Sequence, residues 1–208
     1  MVGFNRRYSS SVQYLKKQLQ PNVAYSIYYQ VNAGYIPMDK WYQSPEQGGR
    51  IIGEVGHFID TIQYLLDADP VEVFASSTSI GGMPEQDNTF ITLKFGNGST
   101  AVIAYLADGD KKYSKEKILI TGYRTNIEFD NFKSVTVFKN GTSSKKKFLM
   151  IDKGQKEEMS VLTNSVKTGI SPIAFQSLAL NTYAAILTVK SIQTKTNYTL
   201  SMEDLLHE

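Results

Sequence analysis

The sequence predicts an α+β domain with a mainly antiparallel β-sheet and helices packed on one face of it. Helical periodicity occurs near both ends of the chain, whereas residues 71–148 alternate β-branched or aromatic residues with polar ones. Turns that contain glycine or asparagine interrupt this central block, which is typical of hairpins. With 208 residues, 41% of them apolar, the chain is long enough to bury the core of one domain.

Three regions are predicted to be helical. The first covers residues 9–19, where apolar residues repeat at helical spacing and Pro21 follows. The second ends near residue 66. The third begins near residue 155 with a charged stretch through residue 166 and continues from residue 175 to about residue 194. A short helix with a serine cap at 201–204 follows it. The buried face of the second helix is predicted to comprise Ile51, Ile52, Val55, Phe58, Ile59, Ile62 and Leu65.

A strand is predicted over residues 24–32, followed by an irregular loop that is rich in proline, glycine and aromatic residues. The clearest hairpin joins residues 90–95 to residues 100–105, because the Gly-Asn-Gly turn between them tolerates positive φ. The sheet face away from the helices is predicted to be partly apolar, which would suit burial against a second subunit. The residues assigned to that face are Thr92, Phe129, Val135 and Val137.

The composition argues against several classes of function. The 22 Lys and Arg residues nearly balance the 20 Asp and Glu residues, so charge gives no reason to expect a nucleic acid or an anionic membrane as partner. Because the chain has no cysteine, disulfides, thiolate nucleophiles and cysteine-based zinc sites are excluded. No stretch has the length and apolar character of a signal peptide or a membrane span, so we expect a soluble, cytoplasmic protein.

The chain has two histidines, and His57 is the one within a predicted helix. Glu54, His57 and Asp60 follow at intervals of three, which predicts a polar ridge beside the buried face. A histidine in that position could exchange a proton near neutral pH, with an adjacent carboxylate to orient it. One alternative is a solvent-facing histidine in an ordinary first turn of the helix. Another is a zinc hydrolase that uses Glu54 and His57.

A second cluster of candidate residues lies in the loop after the first strand. Asn32, Tyr35, Lys40 and Trp41 combine an amide, a phenol, an ammonium group and the single tryptophan, a mixture suited to a polyhydroxylated ligand. The alternative is a loop whose aromatic residues anchor it to the sheet. The arginine pair at 6–7 could grip a carboxylate or phosphate, or it could simply be solvated.

Three segments together resemble the Gfo/Idh/MocA oxidoreductases. They are VGFNRRY at 2–8, VNAGYIP at 31–37, and GGRIIGE at 48–54 followed by HFID at 57–60. Within the family they are most similar to the branch associated with bacterial heteropolysaccharide and sugar-nucleotide genes. The resemblance implies the C-terminal fold of the glucose-fructose oxidoreductase type, with residues 1–208 as one substrate-binding and oligomerisation domain. It also implies a Rossmann domain, missing from this chain, that precedes it, binds NAD or NADP and carries a lysine that assists hydride transfer.

The resemblance implies roles for individual residues. His57 corresponds to a histidine that acts as acid and base toward a substrate hydroxyl, and many members place an aspartate four residues before it. Gly53 occupies that position here, so Glu54 either takes over the orienting role or faces elsewhere. The expected substrate contacts are Arg7, Asn32, Tyr35, Lys40, Trp41, Arg50 and Asp60.

These roles describe half of an NAD(P)-dependent oxidoreductase that acts on a secondary alcohol of a sugar, sugar nucleotide or cyclitol. We expect this chain alone to hold neither cofactor nor metal, and to form a homodimer or tetramer through the sheet face. The alternative is a non-catalytic sugar-binding or oligomerisation module with the same fold.

Overall fold

A computed structural model of the chain describes residues 2–37, 39–40, 43, 49–78 and 85–207. The described residues form one sheet of nine strands and five α-helices, together with shorter helical turns. The α+β class with helices against one face of a mostly antiparallel sheet is therefore confirmed. The strands are β1 (Ser26–Asn32), β2 (Pro70–Ser77), β3 (Asn88–Phe95), β4 (Thr100–Leu106), β5 (Glu116–Gly122), β6 (Thr125–Asp130), β7 (Ser134–Lys139), β8 (Thr142–Lys147) and β9 (Tyr198–Thr199).

The helices lie before, between and after these strands. They are α1 (Ser10–Lys16), α2 (Gly56–Leu66), α3 (Gln155–Thr168), α4 (Phe175–Thr194) and α5 (Met202–His207). A 3-10 turn (Asn5–Tyr8) precedes α1, and a π-helical turn (Ile51–Val55) leads directly into α2. None of the helices within the described ranges is both long and apolar enough to cross a bilayer.

The strand order is β8-β7-β6-β5-β1-β4-β3-β2-β9, so β1 lies in the middle of the sheet although it comes first in the chain. β1 pairs in parallel with β4, and all other neighbouring strands in this order are antiparallel. The predicted hairpin of β3 and β4 is confirmed. This order brings the end of β1 next to the start of β5, where the candidate site is built.

The sheet has one buried face and one open face, as its alternating sequence requires. One buried row crosses seven strands in register and is continuous with the core beneath α2 and α4. It consists of Ala75, Ile91, Ile103, Tyr29, Ile118, Phe129 and Val135. The matching row on the open face consists of Phe74, Thr92, Val102, Tyr28, Leu119, Glu128 and Thr136.

Four assignments of individual residues to a face were wrong. Phe129 and Val135 are 2% and 0% exposed and belong to the covered face, where Phe129 packs edge-on against Phe132. Val137 lies opposite buried Ile127 on the same face and packs against the core. The cause is strand phase: β6 begins at Thr125, and a shift of one residue exchanges the two faces. Ile52 is 41% exposed, because the π-helical turn rotates its side chain away from the core that Ile51 enters.

Candidate active site

The 3-10 turn at the N-terminus directs two arginines into the domain. Arg6 makes two hydrogen bonds to the carboxylate of Glu116, Nε to Oε2 at 2.9 Å and Nη2 to Oε1 at 3.1 Å. The hydroxyl of Tyr29 donates to the same carboxylate at 2.6 Å. Glu116 is fully buried at the first position of β5, in phase with the inward residues of that strand. A charge-assisted network therefore lies beneath the end of β1.

The charges of this network hold one another in their ionised forms. Although burial opposes it, the guanidinium group of Arg6 keeps the pKa of Glu116 below its usual range. Burial also works against the charge of Arg6, yet Glu116 raises the pKa of Arg6 above its ordinary value. Lys153 adds a second cation, with Nζ 3.6 Å from Oε1 of Glu116. One carboxylate is thus shared by two positive charges.

His57 lies beside this network in the first turn of α2. Its ring is half-buried and packs edge-on against Phe4, with the ring centroids 5.7 Å apart. Burial lowers the pKa of His57 to about 4, and the positive charges of Arg6 and Lys153 act in the same direction. The buried Nδ1 has no hydrogen-bond partner in the described part of the chain. The imidazole is therefore neutral at pH 7.

Gly53, four residues before His57, is exposed, and a Cβ atom built on it would meet no other atom within 4 Å. Residues 53 and 57 share one side of the helix, because four residues make little more than one turn. The surface at Gly53, on the side of the helix that carries His57, is therefore uncovered.

The second arginine of the turn is paired inside the domain as well. Arg7 contacts Asp60 of α2 through Nε at 3.0 Å and Nη2 at 2.5 Å, and its guanidinium group lies over the ring of Tyr64. Asp60 is 1% exposed, and burial raises the pKa of its carboxyl group to about 6, although Arg7 opposes this shift. This ion pair fixes the N-terminal turn to α2, and it engages both the guanidinium group of Arg7 and the carboxylate of Asp60.

Arg50 and Glu54 lie at the start of the same helix but belong to a different cluster. Buried Arg50 donates from Nη1 to the carbonyl of Gly34 at 3.0 Å, and its charge is 3.5 Å from Asp87. Glu54, which is partly exposed, lies 3.8 Å from Nη2 of Arg50. Burial, with Glu54 nearby, raises the pKa of Tyr105 far above its usual value. Glu54 therefore faces this cluster and couples it to the loop after β1.

The remaining expected contacts lie along that loop. Asn32 donates from Nδ2 to the carbonyl of Asp110 at 2.8 Å, whereas its buried Oδ1 has no partner within the described residues. Tyr35 is 53% exposed, and Lys40 is exposed beside Asp39. Trp41 lies outside the described residues. The structure thus brings Arg50, Glu54 and the backbone next to Tyr35 together, and it joins Arg7 to Asp60.

Several residues of the site escaped sequence reasoning. Glu116 gives the clearest signal in the sequence, because this acid stands in the same alternating, inward-facing positions of β5 as Ile118 and Ile120. Tyr29 likewise occupies an inward-facing position of β1. Arg6 was noted only as part of an arginine pair. Lys153 gives no local signal, since its contacts are separated from it by long stretches of chain. Across the described segments, no three His, Asp, Glu or Cys side chains are placed to hold a metal ion.

Residues 22–128, half of the chain, match the family described as GFO/IDH/MocA C-terminal domain. The chain therefore belongs to the GFO/IDH/MocA family and contains its C-terminal domain. This assignment agrees with the resemblance carried by the three sequence segments. No curated protein sequence matches the chain significantly.

Solved structures support the fold. An oxidoreductase domain protein from Kribbella flavida matches 97% of this chain with a TM-score of 0.77 at 15% identity. UDP-N-acetylglucosamine 3-dehydrogenase from Acidithiobacillus ferrooxidans matches 92% with a TM-score of 0.69 at 15% identity. The super-repressor mutant of Gal80p from Saccharomyces cerevisiae matches 96% with a TM-score of 0.68 at 14% identity. The chain spans 65%, 61% and 64% of these proteins, respectively.

Proposed function

We propose that the chain is the substrate-binding half of a nicotinamide-dependent dehydrogenase that acts on a secondary alcohol of a sugar, sugar nucleotide or cyclitol. The observation that carries the proposal is a neutral, half-buried imidazole on the same side of the helix as Gly53, whose surface is uncovered. The name of the Acidithiobacillus structural neighbour supports the substrate class. The three sequence motifs favour the heteropolysaccharide and sugar-nucleotide branch, and the absence of cysteine favours a cytoplasmic location.

His57 is the acid and base in this proposal. Oxidation of a secondary alcohol removes the hydroxyl proton, and a neutral imidazole can accept it. Burial and the neighbouring cations keep His57 unprotonated, so the free base is present throughout the physiological range. Arg6 and Glu116 hold the neighbouring Phe58 and Tyr29 in place, through the guanidinium group 4.7 Å above the Phe58 ring and the hydrogen bond to Tyr29.

A bound NAD or NADP would accept the hydride from the alcohol carbon. We propose that the phosphates of the cofactor bind to a Rossmann domain N-terminal to residues 1–208. In this proposal the chain itself supplies the proton acceptor and the sugar contacts.

Among the expected contacts, the loop residues Asn32, Tyr35 and Lys40 remain our candidates for binding the sugar. Asn32 lies at the end of β1, where the loop begins, and Tyr35 is accessible. For Arg7 and Asp60 we propose a structural role, because each is already engaged by the other. For Arg50 and Glu54 we propose that they hold the loop after β1 in place, through the hydrogen bond from Arg50 to the carbonyl of Gly34.

The test is turnover by the full-length protein, which in this proposal carries a Rossmann domain N-terminal to residues 1–208. With NAD or NADP and a panel of cyclitols, sugars and sugar nucleotides, we expect reduction of the nicotinamide for one substrate class. His57→Gln should lower kcat by about 10²- to 10⁴-fold. His207→Gln is the matched control and should leave kcat unchanged. An upstream sequence without a dinucleotide-binding fold would contradict the two-domain proposal.

A second candidate function is a binding or oligomerisation module that lacks the reaction. Two observations favour it: Gly53 stands where many family members have an aspartate, and one structural neighbour is named a super-repressor. The two candidates differ in a direct measurement. A module would bind the sugar with and without His57 and reduce no nicotinamide, whereas an enzyme would lose turnover with His57→Gln.

We also propose that the open sheet face joins two or four copies of the chain. Phe74, Phe90 and Leu119 are each 39% to 47% exposed there, an unusual apolar content for a face left in water. Such a face can pair with its own copy around a twofold axis. Sedimentation should therefore give a dimer or tetramer, and Leu119→Glu should shift it to the monomer. A monomeric wild-type protein at micromolar concentration would exclude this assembly.

A further inference from the structure

The segment that carries Lys153 is fixed to the N-terminal turn. Asn5 donates from Nδ2 to the carbonyl of Lys153 at 2.7 Å, and Ser9 donates from Oγ to the carbonyl of Asp152 at 2.8 Å. Gly154 follows with φ of +88°, and a Cβ built on it would lie 2.3 Å from the carbonyl oxygen of Asn5. The backbone on both sides of Lys153 is therefore held, which orients its side chain in advance.

The side chain of Lys153 extends toward Glu116 without forming a well-made hydrogen bond. Its Nζ lies 5.6 Å from the ring centroid of Phe132 and 3.6 Å from Oε1 of Glu116, beyond the usual range for such a bond. Arg6 and Tyr29 already supply three closer donors to that carboxylate. Since 28% of the side chain is exposed, N–H donors of Lys153 remain accessible.

The carboxylate of Glu116 is shared by two cations, Arg6 and Lys153. Asp152, beside Lys153, accepts hydrogen bonds from the backbone N–H groups of Ser10 and Gly154. His57 is neutral, and Arg7 and Asp60 pair with each other. An anionic oxygen that reaches the partly desolvated ammonium group of Lys153 would form a charge-assisted hydrogen bond with it.

We propose that Lys153 is a substrate-binding residue of the His57 site and that its ammonium group binds a carboxylate or phosphate group of the sugar. This inference rests on the proposed function, because it assigns an anionic group to the same molecule whose hydroxyl faces His57. It narrows the substrate class to sugar acids and sugars that carry phosphate.

The experiment follows the ring signals of His57 by NMR in the full chain. The chain has two histidines, so His207→Gln assigns the signal of His57. D-glucose, D-glucuronate and D-glucose 6-phosphate are titrated into the wild type, Lys153→Met and Lys153→Arg. Lys146→Met, which removes an exposed lysine of β8, is the matched control. The measured quantity is the dissociation constant of each compound.

We expect at least one of the two anions to bind about tenfold more tightly than glucose. Lys153→Met should abolish this advantage and leave the affinity for glucose unchanged, whereas Lys153→Arg should retain it. The preferred anion distinguishes a carboxylate from a phosphate. If Lys153→Met does not fold, the ratio of the dissociation constants for glucose and for each anion, measured in the wild type and in Lys153→Arg, still tests the inference.

Three results would overturn the inference. Equal affinities for glucose and both anions would remove Lys153 from the site and leave the proposed function intact, as would an anion preference that survives Lys153→Met. If none of the three compounds changes the His57 signals at millimolar concentration, the assignment of a sugar site at His57 fails as well.

Discussion

Replacing Glu116 by glutamine should destabilise the domain more than most other single substitutions in it. The carboxylate accepts two hydrogen bonds from Arg6 and one from Tyr29, and it is fully buried. Glutamine keeps the shape but presents an NH₂ group to one of these donors and removes the charge. The guanidinium group of Arg6, which is 8% exposed, then lacks its counterion in a buried position.

Breaking a buried ion pair in this way costs about 3 to 5 kcal/mol. The free energy of unfolding of a native domain is about 5 to 15 kcal/mol, so Glu116→Gln should remove a large share of it. The thermal midpoint should fall by roughly 6 to 20 °C. The measurement is thermal and urea unfolding followed by circular dichroism.

Two further variants make this test specific. Glu128→Gln changes an exposed glutamate of the neighbouring strand β6 and should cost no more than about 0.5 kcal/mol. The double variant Arg6→Met with Glu116→Leu removes both charges and should cost less than Glu116→Gln alone. A loss below about 1 kcal/mol for Glu116→Gln, or a double variant as unstable as the sum of its single changes, would refute the reasoning.

Other predictions concern His57 and two glycines. His57 should titrate near pH 4 by NMR, and a midpoint near its ordinary 6.5 would show that the ring is solvated. Because the folded pKa of His57 is depressed, the unfolded chain binds this proton first, and stability from His57 falls as the pH drops from 6.5 to 4. Asp60, whose pKa is raised to about 6, acts in the opposite direction below pH 6, so His57→Gln should make acid unfolding less steep and Asp60→Asn should make it steeper. Gly154→Ala should cost at least about 3 kcal/mol through strain and backbone overlap, whereas Gly169→Ala, with φ of +70° and open space, should cost about 1 kcal/mol. Equal losses for the two glycines would exclude the close packing of Gly154 as the cause.

The elements were predictable where local pattern determines structure. The hairpin of β3 and β4 follows from alternation and a Gly-Asn-Gly turn, and α2 follows from its apolar spacing. The face of Phe129 was not predictable, because strand phase depends on where β6 begins, and a slip of one residue reverses it. The exposure of Ile52 depends on a π-helical turn that spacing alone does not reveal.

In the candidate site, too, some residues could be found from the sequence and others only from the structure. His57 stands out because the chain has so few histidines, and the paired arginines at 6–7 are visible as a cluster. Their partners are not, since Arg6 meets Glu116 across 110 residues and Arg7 meets Asp60 across 53. Without those partners, the sequence placed Arg7 and Asp60 among the expected substrate contacts.

By itself the sequence determined the α+β class and the family and singled out His57 as a candidate for proton transfer, because periodicity, turn residues and short motifs are local properties. The tertiary structure decided which charged groups pair with one another. That outcome depends on distances between groups far apart in the chain and on how much water each has lost, and neither quantity is encoded in local spacing.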